Sequence, residues 1–249
     1  MITAPRTVPK RVWKIMLDKW DVKKYVVGFE TGKHGYLHYQ IRLRVSGTGF
    51  DEWILRYVPI AHIERATDTD RGYDYERKEG RFISSEDRVD VRKQRFGEPR
   101  GWQKDAVKAL RTQNDREVDV WYDPIGNRGK SWLCGHLFET GKAMVVPRDW
   151  TKASEITNYI CLNYHGQDAI VIDIPKDAKI PAEFYKTIEI LKDGLIGSVK
   201  WEGKMINIRG VAIAIFTNTK LDPDGLTKDR WRFHYITTMN SAEARGRFS

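Results

Sequence analysis

The run from Trp121 to Leu133 constrains the fold of this chain more than any other stretch. Apolar and β-prone residues (Val118, Val120, Trp121) lead into a turn containing Gly126 and Gly129. Lys130 and Ser131 close the turn, and an apolar helical pattern follows. Strand, glycine turn and helix in that order form the layout of a phosphate-binding P-loop. Gly126, Asn127 and Gly129 belong to the lip of the turn, where glycine lets backbone N–H groups curl around phosphate oxygens with no Cβ in the way. Lys130 has the reach for the β- and γ-phosphates of ATP, and Ser131 offers a hydroxyl to Mg²⁺. The helix that starts here points its positive end at the same anion. The pattern departs from G-x-x-x-x-G-K-[ST] at its first position, where Pro124 stands in place of glycine.

The region around this loop alternates strand and helix, as α/β domains do. Residues 144–146 read as a strand, 154–162 as a helix, and 169–173 as a buried strand ending in an acid. Asp173 there has the form of the carboxylate that holds the nucleotide's Mg²⁺ through water. A helix is expected over 182–192, a basic and aromatic turn over 200–204, and another buried strand over 211–216, followed by Thr217 and Asn218. Trp231 and Phe233 are expected to pack a last strand into the core. Residues 241–249 are small and charged and are expected to fray.

The front of the chain has a different character. Through Arg95 there are 20 Lys and Arg against 14 Asp and Glu, and 23 against 20 after it, within a net charge of +9 over 249 residues. A basic excess densest at the front favours a polyanionic partner such as nucleic acid. Two cysteines, Cys134 and Cys161, give neither a disulfide framework nor a paired metal spacing. No apolar run is long enough to span a bilayer, so an intracellular protein without a membrane partner is expected.

The first residues read as a short polar lead with Pro5 and Pro9, then an amphipathic helix with Val12, Ile15, Met16 and Trp20. Strands over 25–30 and 36–45, joined by a glycine-rich turn, form a hairpin. Residues i and i+2 of a strand share a face, so His38 and Gln40 can share one ligand, and Glu30 can approach from the paired strand. A half-buried strand with a satisfied imidazole fits His38 equally well. A further strand is expected over 60–66 and a helix over 73–80, ended by Gly80, with Tyr75 and Lys78 on one face. A surface tyrosine beside a solvated lysine is the plain alternative. Residues 84–101, rich in charge with Gly97 and Pro99, read as a linker, and 102–113 as a small helix for subunit contact.

Taken together, Glu30, His38-Tyr39-Gln40, Ala61-His62-Ile63-Glu64 and Tyr75-x-x-Lys78-Glu79-Gly80 resemble the nicking domain of rolling-circle replication initiators. These are the Rep proteins of small circular single-stranded DNA viruses and related plasmids. The resemblance runs on through the P-loop into a superfamily 3 helicase domain and covers nearly the whole chain. It implies an α+β HUH-type nicking domain over 1–95, with an antiparallel sheet, flanking helices and an RRM-like form. A linker and oligomerisation helix would occupy 96–117, and an α/β P-loop AAA+ ATPase 118–249. The family's first motif is represented only by Met1 to Pro5.

By this resemblance Glu30, His38 and Gln40 are metal ligands, Tyr75 is the nucleophile and Lys78 assists it. A phenol of pKa near ~10 is a weak nucleophile unless a cation beside it favours the phenolate. Lys78 and a divalent ion, Mg²⁺ or Mn²⁺ for such mixed oxygen and imidazole ligands, supply that effect. The products are a 5′-phosphotyrosine and a free 3′-OH. In the second domain Asn218 matches the sensor asparagine and Arg230 the arginine finger that reaches a neighbouring subunit's nucleotide. Lys200 and Lys204 match the hairpin that grips single-stranded DNA, although a basic hairpin tip is also commonly just solvated. The family often has two successive acids where this chain has Asp173-Ile174-Pro175. Glu189 is therefore the candidate for orienting the attacking water, with a solvated helix carboxylate as the equal alternative. The implied partners are single-stranded DNA, an origin stem-loop and further copies of the chain, in a hexamer that moves 3′-to-5′. The implied location is a host nucleus for a eukaryotic virus or the cytoplasm for a bacterial plasmid. A DNA-binding regulator that never cuts, or a stand-alone ATPase motor, are the competing readings.

Overall fold

Alternation of apolar and polar residues builds the first sheet. A computed structural model describes residues 1–66, 73–150, 152–176, 178–198 and 203–236. The chain divides into two units, Met1–Phe96 and Gly97–Ser249. In the first, Ile2–Pro5 (β1), Tyr25–Thr31 (β2), Leu37–Leu43 (β3), His62–Ile63 (β4) and Phe82–Ser84 (β5) pair antiparallel in the order β4-β1-β3-β2-β5. Ile2, Ala4, Val27, Phe29, Tyr39 and Ile41 join one apolar cluster with Trp13 and Met16 of Lys10–Lys19 (α1) and Phe50 and Ile54 of Phe50–Tyr57 (α2). Met16, Ile41 and Ile54 have no measurable exposure, and each such side chain contributes about 1.5–3 kcal/mol. The intervening residues, Thr3, Glu30, His38, Gln40 and Arg42, point to the opposite face.

Four expectations for this unit change. The polar lead is β1, paired on both edges. In α1, Trp13 rather than Ile15 is buried, and Ile15 is 55% exposed. At 100° per residue Trp13, Met16 and Trp20 fall on one side and Ile15 opposite. The helix expected over 73–80 is a single 3-10 turn, Tyr75–Arg77, because Tyr73 (φ 59°) and Gly80 (φ 64°) bracket it with left-handed backbone. The expected linker contains a helix, Val89–Phe96 (α3), fastened to the unit by Arg95. That buried guanidinium donates to the Phe82 carbonyl at 3.0 Å and pairs with Asp87 at 2.7 Å.

The second unit begins with Trp102–Thr112 (α4), Val118–Tyr122 (β6), Lys130–Glu139 (α5), Ala143–Val146 (β7), Ala153–Asn163 (α6) and Ala169–Asp173 (β8). Ala182–Asp193 (α7), Leu195–Ser198 (β9), Lys204–Asn207 (β10), Ala212–Thr217 (β11) and Trp231–Tyr235 (β12) follow. Five strands form a parallel sheet in the order β12-β6-β11-β8-β7, and β9 with β10 makes a separate antiparallel pair. Helices α4 and α5 pack Ala106, Ala109, Leu133 and Leu137 with Trp121, Val171, Ala214 and Phe216. A second cluster joins α6 and α7, through Ile156, Ile160, Phe184 and Ile188, to Val120, Ile170, Ile172 and Ile215. Covered on both faces, β8 and β11 are buried along their whole length.

The apolar side of α4, expected to meet another subunit, is occupied within its own unit, where Trp102 lies against Trp121 and Phe216. Trp231 packs on the core as expected, but Phe233, on the edge strand β12, is 39% exposed. Cys134 and Cys161 are buried free thiols. Among the described residues no helix is long and apolar enough to cross a membrane.

Gly28 tests how tightly the Tyr75 turn lies on the first sheet. A Cβ at Gly28 would stand 2.3 Å from the Glu76 carbonyl oxygen, whereas one at Gly197 meets nothing closer than the Met205 side chain at 3.5 Å. Gly28→Ala is expected to cost about 1–3 kcal/mol by urea unfolding, and Gly197→Ala less than about 0.5 kcal/mol.

Candidate functional site

The polar face of the first sheet gathers the residues singled out there. Strand register sets Glu30 directly opposite His38, with Gln40 facing both Gly28 and Thr3. The Glu30 carboxylate is buried, 3.6 Å from His38 Nε2 through its Oε2. His38 Nδ1 lies 3.3 Å from the Tyr36 carbonyl, which only accepts, so in the neutral ring Nδ1 carries the hydrogen. Nε2 is then a lone pair facing a carboxylate, an arrangement that a cation between them relieves. Gln40 accepts from the Thr3 hydroxyl at 2.8 Å, leaving its amide oxygen a second lone pair.

Glu30 Oε1 is buried with no hydrogen-bond partner. That orphaned oxygen, with an imidazole lone pair and an amide oxygen on the same face, fits a divalent ion. Among the described residues no three His, Cys, Asp or Glu side chains form a metal group. The set here has two of those types plus a neutral amide, so it offers a cation only one negative charge.

Tyr75 reaches this face because the turn that carries it is tied down on every side. Glu76 forms a buried pair with Arg42 at 3.1 Å, and Glu79 accepts from the Thr31 amide at 3.0 Å. Tyr73 is buried against Val26 and Phe82. Two residues on, Tyr75 is 54% exposed. Lys78 Nζ sits 3.5 Å from the centre of the Tyr75 ring and 2.7 Å from Glu30 Oε2. Burial lowers the Lys78 pKa, but hydrogen bonds with Glu30 and Tyr75 outweigh it and hold the amine above the ordinary lysine value. Lys78 is therefore a fixed positive charge beside the phenol at neutral pH, not a base.

In the second unit parallel pairing brings strand ends to one edge. Thr217 pairs with Tyr122 and Phe216 with Asp173, so the P-loop, Asn218 and Asp173 share the carboxyl edge of the sheet. Gly126, Asn127 and Gly129 all have positive φ, at 88°, 59° and 83°. A Cβ on Gly129 would meet Gln103 Nε2 at 2.8 Å, and that amide braces the loop by donating to the Gly129 carbonyl. Lys130 is buried against Asp123 at 2.7 Å, and the Gly126 amide donates to the same carboxylate at 2.7 Å. Asn218 Nδ2 donates to the Asp123 carbonyl at 2.6 Å. Asp173 accepts from Arg148, which also donates to Ser131 Oγ at 3.1 Å, while Asp173 Oδ1 is buried and unpartnered. A hydroxyl, a carboxylate with a free oxygen and a lysine beside them fit a magnesium nucleotide.

Other expected residues lie elsewhere. Glu189 and Arg230 meet each other: Arg230 is buried, 3.5 Å from Glu189 and 3.4 Å from Asp193 of α7 in its own chain. A buried guanidinium needs carboxylates beside it, and neither residue has a described contact with the P-loop. Lys204 is exposed on β10, whereas Lys200 and the tip of that hairpin, like residues 241–249, lie outside the described residues. Sequence reasoning missed Thr3, Gln103, Asp123 and Arg148. Asp123 stands inside the P-loop itself, but Arg148 is 25 residues before Asp173 with no motif around it. No protein-family model and no curated protein matches this chain.

Burial raises the Asp123 pKa, but hydrogen bonds from Lys130 and the Gly126 amide dominate and leave it below the ordinary aspartate value. Its stabilisation is then complete above the unfolded pKa near ~3.9 and is lost as pH falls through the lower folded value. Asp123→Asn strands a buried lysine, so it should cost about 3 kcal/mol at pH 7. Urea unfolding at a series of pH values should show that gap closing below about pH 4.

Proposed function

We propose that this chain is a rolling-circle replication initiator: a single-strand nicking and joining domain followed by a ring-forming superfamily 3 ATPase that unwinds DNA. The observation that carries the reading is the cluster of Tyr75, Lys78, Glu30 and His38. It combines an exposed phenol, a cation against its ring, and a buried carboxylate that turns Oε2 toward His38 and leaves Oε1 without a hydrogen-bond partner. A satisfied surface tyrosine needs none of these partners.

Tyr75 attacks the phosphorus of a bound strand. Its phenolic proton passes to solvent, one P–O bond forms and one breaks, and the leaving oxygen takes up a proton as the 3′-OH. Lys78 favours the phenolate and neutralises charge on the phosphoryl oxygens. Held by Glu30, His38 and Gln40, Mg²⁺ or Mn²⁺ would polarise those oxygens as a Lewis acid. The phosphotyrosine keeps the energy of the phosphodiester, so a 3′-OH reverses the step and rejoins DNA. In the second unit the P-loop, Asp173 and Asn218 support ATP and Mg²⁺ binding. The antiparallel sheet with helices on one face supports an HUH-type, RRM-like domain, and the parallel sheet an AAA+ domain. A hexamer remains part of this reading, with the added requirement that Arg230 exchange Glu189 and Asp193 for a neighbour's nucleotide.

Incubation with an end-labelled stem-loop oligonucleotide and Mn²⁺ should give a covalent protein–DNA band. Tyr75→Phe and His38→Ala should abolish it and leave ATP hydrolysis intact, because that chemistry belongs to the second unit. Tyr73→Phe should still cut wherever its fold holds. An adduct from Tyr75→Phe would refute the nucleophile. A wild-type protein that binds the stem-loop but never forms an adduct would favour a DNA-binding regulator, and one that hydrolyses ATP without binding it a stand-alone motor.

A further inference from the structure

Arg148 carries no motif, yet it occupies the centre of the second site. It stands just beyond β7, the strand next to β8, on the same carboxyl edge as the P-loop. Its Nε donates to Asp173 Oδ2 at 2.9 Å, and its Nη2 donates to the same oxygen and, at 3.1 Å, to Ser131 Oγ. One guanidinium therefore holds both protein groups that a P-loop site presents to the magnesium of a nucleotide. Even so, Asp173 is not satisfied. Its Oδ1 is buried with no partner, and the remaining contact to Oδ2 is the Cys134 thiol at 3.5 Å.

A divalent ion and a guanidinium cannot share that oxygen and hydroxyl, because two cations so close in a partly desolvated site repel strongly. Entry of one requires departure of the other. The Arg148 side chain is 49% exposed, so half of it already faces solvent while it holds Asp173. Its backbone keeps it at the same edge, on the Ser131 and Asp173 side of the loop. The new negative charge there is the phosphate chain, and a guanidinium fork matches phosphate oxygens. Lys130 serves the β- and γ-phosphates from the loop. Arg148, arriving from the metal side, is placed for the terminal one.

We infer that Arg148 is a phosphate-binding residue that occupies Asp173 and Ser131 in the nucleotide-free protein and passes to the terminal phosphate of a magnesium nucleoside triphosphate when it binds. The inference rests on the P-loop reading above and names how that site distinguishes a triphosphate from a diphosphate. A purely structural Arg148 would keep Asp173 in both states.

Fluorescence anisotropy of N-methylanthraniloyl ATP and ADP, across a Mg²⁺ titration of the full chain, tests it without recourse to turnover. Arg148→Ala should reach half-maximal ADP binding at several-fold lower Mg²⁺, since the competing cation is gone. At saturating Mg²⁺ its preference for ATP over ADP should fall about tenfold, the loss of one charge-assisted hydrogen bond. Arg148→Lys, which keeps the charge without the fork, should recover part of that preference. Should Arg148→Ala fail to fold, Arg148→Gln carries the same two expectations. A variant matching wild type in both measurements, or weakening ATP and ADP alike, overturns the inference. Lys130→Ala separates the two levels. If it loses nucleotide while the Arg148 variants behave as wild type, only this inference fails. If it binds as wild type does, the P-loop reading fails and this inference with it.

Discussion

Backbone pairing decides what meets what in both units. Antiparallel register sets Glu30 opposite His38 in the first sheet, and parallel register brings Asp173, Asn218 and the P-loop to one edge of the second. A slip of one residue in β3 would turn His38 and Gln40 into the apolar core and bring Tyr39 and Ile41 out to the polar face. The cores guard against this slip. Tyr39 and Ile41 are held by Trp13 and the buried residues of α1 and α2, so the packing that stabilises the first sheet also aims its polar residues.

Both sites hold their charges in the same way. A cation suited to phosphate is paired with a buried carboxylate: Lys78 with Glu30, Lys130 with Asp123 and Arg148 with Asp173. Burying any of these carboxylates alone would be prohibitive, and the pairing makes it tolerable. In two of the three the carboxylate keeps one buried oxygen without a partner, Glu30 Oε1 and Asp173 Oδ1. These are the two positions at which the proposed chemistry calls for a divalent ion.

The Tyr75 turn shows how a short irregular segment is made rigid. Three residues of 3-10 backbone have little stability of their own. Here Glu76 is clamped by Arg42, Glu79 by the Thr31 amide, and Tyr73 is buried in a small apolar pocket under Lys24 and Arg42. Tyr75 is left outside, with Asp74, Lys78 and Glu79. Its exposure is thus a product of its neighbours' burial.

What the sequence by itself determined is the part that rests on local period and local chemistry. The glycine turn before Lys130, the buried strand ending at Asp173 and the shared face of His38 and Gln40 all follow from spacing along the chain. Charge-rich composition concealed α3, because Arg95 is buried by a partner, Asp87, that composition does not reveal. The helix expected around Tyr75 failed for a related reason, since the backbone at Tyr73 is set by burial of its ring and not by propensity. Glu189 and Arg230 look like separate functional residues in sequence, yet α7 sets them side by side. Arg148 had no signal at all. Only tertiary structure brings the end of β7 beside β8, and a single guanidinium onto Ser131 and Asp173, because pairing between distant strands depends on the whole sheet and is written in no one segment.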